Sequence, residues 1–73
     1  MKTPEQYSNF RLREITEEFV HSERDRSIII RKFCDRRTME QLAEEFDLSV
    51  SQVKRIITRE GETVFRIMGT GQN

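Results

Sequence analysis

TMEQLAEEFDLSVSQVKRIITR, Thr38 to Arg59, decides how this chain is to be read. Two short amphipathic runs meet in it. Leu42, Ala43 and Phe46 share one helical face, and Val53, Ile56 and Ile57 share another. Asp47, Leu48 and Ser49 lie between them, enough for a sharp turn and nothing longer. Each run has its own start signal. Thr38 is placed to cap free backbone N–H groups while Gln41, three residues on, reaches back; Ser49 and Gln52 repeat the device. Two capping boxes in succession, each leading an apolar stripe, predict two helices joined at a steep angle.

The spacing inside this unit resembles the DNA-binding helix-turn-helix. Ala43 falls where the two helices approach most closely and only a small side chain fits, and Leu42, Phe46, Leu48, Val53 and Ile56 fall at its apolar contacts. The departure is Asp47, which stands where that motif usually has Gly. The position needs a left-handed backbone, which Gly adopts freely and Asp tolerates at modest strain.

Working outward, 73 residues make one domain, of which 34% are hydrophobic, so the core is small. With 36% charged residues, one Pro and no Trp, the composition favours helices. The expected architecture is all-α: a small bundle of four to five helices at about 4–20, 23–35, 39–46 and 50–60, with a short helix at 62–68 and a frayed tail at 69–73. The first helix opens at Thr3-Pro4-Glu5-Gln6, with Pro at the first helical position. Its stripe is Leu12, Ile15 and Phe19; Tyr7 and Phe10 lie partly off it and cover the end of the domain, a dimer patch being the sharper alternative. The second opens at Ser22-Glu23-Arg24-Asp25. Its Ile28, Ile29 and Ile30 cover a wide arc, so it should be central and touched on more than one side. Gly61 is read as a left-handed stop. Yet Val64, Ile67 and Met68 nearly keep the phase of Val53 and Ile57, which fits a bent continuation, or a short helix packed back, better than a wing-like strand.

Net charge is zero, so no global attraction to nucleic acid is expected. The local distribution is different. Glu40, Glu44 and Glu45 make the outer face of the first helix of the unit acidic. After Ser49 the exposed positions are Ser51, Gln52, Lys54, Arg55, Thr58 and Arg59, with no acid before Glu60. That separation suits a second helix entering the major groove. Val50, Ser51, Gln52, Lys54 and Arg55 are then the candidates for base edges, Gln52 pairing with adenine and Arg55 with guanine. Thr58 and Arg59, together with Arg36, Arg37 and Thr38 ahead of the first helix, are the candidates for phosphates.

No catalytic constellation stands out, and no cofactor is expected. The lone His21 lies at a helix junction without a nucleophile beside it, and the three glycines all fall near the C-terminal end, where they cradle no phosphate. The lone Cys34 cannot form an internal disulfide, cannot complete a zinc site with one histidine, and is read as a small core residue. No apolar run approaches a membrane span and no signal peptide opens the chain, which suggests a cytoplasmic protein of bacterial or phage type.

The resemblance extends upstream. Glu23-Arg24-Asp25-Arg26, the isoleucine run, Thr38 to Phe46, and Ser49 onward look like region four of bacterial sigma factors, over roughly residues 22 to 59. Gln41-Leu42-Ala43 stands where that family often has Glu-Ile-Ala. The resemblance implies a helical domain with Ser51, Gln52, Lys54 and Arg55 facing double-stranded DNA, and RNA polymerase as a further partner. Nothing in the chain resembles the regions that open promoter DNA, so it looks like a stand-alone regulator of the kind carried by phages and mobile elements. Two alternatives remain at this level: a terminase small-subunit-like packaging adaptor, and a module that binds polymerase or a phage protein through Glu40, Glu44, Glu45 and Asp47. A homodimer is compatible with the first reading, its reading helices about one turn of DNA apart.

Overall fold

The computed structural model describes residues 4–70, with side chains from 9 to 69. Among the described residues four helices follow in order: α1 (Pro4–Phe19), α2 (Glu23–Phe33), α3 (Met39–Phe46) and α4 (Val50–Thr70). There is no strand among the described residues. The fold is a small all-α bundle in which α2 and α4 each touch the other three helices.

The helix starts are set by side chains. Ser22 Oγ accepts from the Asp25 N–H at 3.3 Å and begins α2. At α3 the box is reciprocal: Gln41 N–H donates to Thr38 Oγ1 at 3.1 Å, and Thr38 N–H donates to Gln41 Oε1 at 2.9 Å. At α4, Gln52 N–H donates to Ser49 Oγ at 3.1 Å and Ser49 N–H to Gln52 Oε1 at 2.8 Å. Each pair satisfies two backbone donors that a helix start would otherwise leave unpaired. The cap expected at Thr3 lies outside the described residues, and the side chain of Tyr7 lies outside the described side chains.

Two apolar clusters hold the bundle. The larger joins Ile28 and Ile29 of α2, Leu42 and Ala43 of α3, and Val53, Ile56 and Ile57 of α4, with Met39, Phe46 and Leu48 at its edge. The smaller joins Leu12 and Ile15 of α1, Val20, and Val64 of α4. Phe33 packs against both, and its ring meets Phe65 edge-on at 4.9 Å between centroids. Fully burying Leu42, Val53 and Val64 is worth about 1.5–3 kcal/mol each. The central position expected for the isoleucine helix is what the packing shows, although Ile30 is only partly covered.

Three expectations need correction. Gly61 does not stop the helix. It has no positive φ, and α4 runs through it to Thr70, so residues 62–68 are the last turns of the reading helix, neither a strand nor a separate helix. The reason is tertiary: Gly61 itself is buried against Phe33 and Ile29, and Val64 beyond it is fully buried on α1, so the second cluster holds the helix across a weak residue. Phe19 and Phe10 are 44% and 50% exposed, and Val20 fills the place expected of Phe19. The short link through His21 turns Val20 inward, with its N–H still donating to Thr16 O at 3.0 Å. Finally, α2 ends at Phe33, with Cys34 as its C-cap, and Arg36 follows in a left-handed conformation (φ 57°).

Candidate nucleic-acid interface

The junction of α3 and α4 sets the site. Asp47 adopts φ 56°, ψ 48°, so the left-handed turn is made by an aspartate. Its N–H reaches Glu44 O at 3.4 Å, and Leu48 N–H donates to Ala43 O at 2.8 Å, which satisfies the end of α3 within two residues. Ala43 is 8% exposed and lies with Leu42, Val53 and Ile56 in the cluster that fixes the crossing. The two helices therefore stay distinct, and the start of α4 projects from the bundle.

What projects is largely uncharged or cationic. Ser51, Lys54, Arg55, Thr58, Arg59 and Glu62 line one open face of α4. Val50 is 42% exposed at the tip. Lys54 and Arg55 have no ion pair or hydrogen bond to other described residues, so their charges are uncommitted. Arg36, Arg37 and Thr38 are exposed beside the start of α3.

Two candidates are already engaged within the fold. Gln52 is exposed, but its amide oxygen is held by the Ser49 N–H; the bidentate adenine pair would compete with that cap, leaving Nε2 as its free end. Arg59 is not a loose cation. Its Nη2 donates to Asp25 Oδ2 at 3.2 Å and its Nε lies 3.5 Å from Glu60 Oε1. Three residues that bear on this face were not among the candidates. Arg24 lines a groove with Leu48, Gln52, Arg55, Ile56 and Arg59. Asp25 is buried beneath it. Glu62 closes the basic stretch on the open face and pairs with Arg66 at 3.1 Å. The register of α4 through Gly61 would have found Glu62; nothing in a run of alternating charges marks Asp25 as buried.

Against known families, the model for sigma-70, region 4 matches residues 22–59, just over half of the 73 residues. The chain belongs to the sigma-70 region 4 family. This sigma-70 region 4 domain is thus of a DNA-binding helix-turn-helix kind, and the family is not one of enzymes. No curated protein and no solved structure matches the chain significantly. The matched segment comprises α2, α3 and the first half of α4, that is, the larger cluster and the open basic face; α1 and the far half of α4 lie outside it. Among the described residues no group of three metal-binding side chains comes together, and no helix is long and apolar enough to cross a membrane.

Proposed function

We propose that this sigma-70 region 4 domain is a sequence-specific DNA-binding transcriptional regulator that lays the first half of α4 in the major groove. The observation that carries the reading is the pair Lys54 and Arg55: exposed, uncommitted, and on the outer face of a helix whose start is fixed by a capping box and whose inner face is locked into the core. Arg55 has the fork geometry for guanine O6 and N7, and Lys54 can reach an adjacent acceptor. Val50, an exposed apolar tip, suits a thymine methyl group, and Ser51 can serve either a base or a phosphate. Thr58, Arg59, Arg36, Arg37 and Thr38 contribute phosphate contacts, which set the register on the duplex.

The acidic face of α3 stays away from the phosphates in this arrangement. The alternative, docking of polymerase on that face, would draw on Glu40, Glu44, Glu45 and Asp47. It is weakened because Glu45 is already paired with Arg31. A single domain of this size makes a small DNA interface, so specific affinity calls for a second copy or a partner protein bound alongside.

Selection of bound fragments from random DNA, followed by gel shifts across a salt series, tests the reading. A recoverable consensus is expected, with affinity lost on changing Lys54 and Arg55 to Ala and a salt slope reduced by about one for each phosphate contact removed. Absence of binding at low salt to both random and genomic DNA would sink it.

A further inference from the structure

Among the described residues Asp25 is the one charged side chain in the interior, 4% exposed. The cap of α2 is made by the Asp25 backbone N–H to Ser22 Oγ, so the carboxylate gives the helix start its first-turn charge and is not the capping group. The carboxylate also serves two arginines. Oδ1 accepts from Arg24 Nε and Oδ2 from Arg59 Nη2, both at 3.2 Å. Taking a carboxylate out of water is costly, and a buried ion pair often gives the fold no more stability than apolar residues of the same volume would. What such a pair does supply is a fixed geometry.

Here the geometry concerns the reading helix. The Arg59 side chain is 59% exposed and stands between the open face of α4 and the groove that also holds Arg24 and Arg55. Free in water, it would sample many rotamers. Held at Nη2 by Asp25 and flanked at Nε by Glu60, its guanidinium plane is set and Nη1 is left to bind outward. The same bond ties the start of α2 to α4 one turn beyond Arg55, and so resists rotation of α4 about its own axis.

We infer that Asp25 is a positioning residue for DNA recognition: it orients Arg59 and fixes the angular setting of the basic face of α4. This rests on the DNA-binding reading above. Charge alone makes the opposite prediction, since removing an acid near a polyanion strengthens binding.

The test uses the full chain and the fragment selected by the wild type, with random-sequence DNA as reference. Asp25→Asn keeps the shape and removes the charge. It should bind the selected fragment about tenfold more weakly, the scale of one lost charge-assisted contact, while binding random DNA as well as the wild type or better. Arg59→Lys keeps the charge, removes the fork and sits at an exposed position; because a fixed phosphate contact sets the register of α4 on the selected site and has no register to set on random DNA, it should lower the ratio of specific to random binding as much. The double variant should lose no more than either alone. Asp25→Asn with an undiminished ratio overturns the inference. Should that variant fail to fold, Arg59→Lys decides, and a wild-type ratio there overturns it equally. If the wild type binds no DNA, the DNA-binding reading falls first and this inference with it.

Discussion

Gly61 of α4 lies against the ring of Phe33 with room for one more carbon: a Cβ on Gly61 would stand 3.8 Å from Phe33 Cε2 and 3.9 Å from Ile29 Cδ1. Those are ordinary contact distances, and the glycine's φ is not positive. Gly61→Ala should therefore stabilise the domain by about 1 kcal/mol, the usual gain for Ala over Gly inside a helix. Urea unfolding checks it. A loss of stability would mean that Phe33 and Ile29 do not leave room for the added carbon.

Among the described residues two non-glycines sit in left-handed backbone, Arg36 at φ 57° and Asp47 at φ 56°. Asp tolerates that region better than Arg, so relief is unequal. Arg36→Gly should raise stability by about 1 kcal/mol and Asp47→Gly by less. The first substitution also removes a proposed phosphate contact. Its melting temperature should rise while its DNA affinity and salt slope fall; parallel changes in both would refute the assignment of Arg36.

The Ser49–Gln52 box gives a second case in which stability and binding part company. Gln52→Ala removes one half of the box, the bond to the exposed Ser49 N–H, while the backbone N–H of residue 52 still donates to Ser49 Oγ, so it should cost about 0.5 kcal/mol of stability. Gln52→Glu should keep the box and gain a few tenths of a kcal/mol from a carboxylate in the first turn of α4. It should nevertheless weaken DNA binding, because that carboxylate meets the phosphates. Thermal melts and gel shifts on both variants separate the two roles.

Cys34 supplies a pH-dependent prediction. Burial pushes its thiol up from the ordinary value, with Asp35 adding to the rise and Arg13 pulling the other way, and its Sγ lies 3.8 Å from Asn9 O. A raised value in the folded state means that the neutral thiol is favoured there. Its contribution is complete below the unfolded thiol's value and is lost as pH climbs through the folded one. Stability of the wild type should thus decline in the alkaline range more than that of Cys34→Ala, and alkylation of Cys34 should lag behind that of a free cysteine. Identical alkaline limbs for the two proteins would contradict this.

Leu42 is fully buried in the larger cluster, and Leu42→Ala should cost about 2–5 kcal/mol. In a domain this small that is enough to populate the unfolded state at room temperature, which circular dichroism would register directly.

Much of this molecule was written locally. Thr38 with Gln41, and Ser49 with Gln52, mark their helix starts by side-chain chemistry that acts within four residues, so the two helices of the motif and the turn at Asp47 could be read in order along the chain. The basic face of α4 was legible for the same reason: consecutive residues on a helix have known directions. Three things depended on parts of the chain far apart in sequence. Only packing against Phe33, Ile29 and α1 carries α4 through Gly61, because a glycine's local preference is weak enough for a distant apolar surface to override. Only the fold turns Val20 inward and leaves Phe19 in water. And only the meeting of α2 with α4 buries Asp25 beneath Arg59, since burial is a property of what arrives on the other side, which no residue announces about itself.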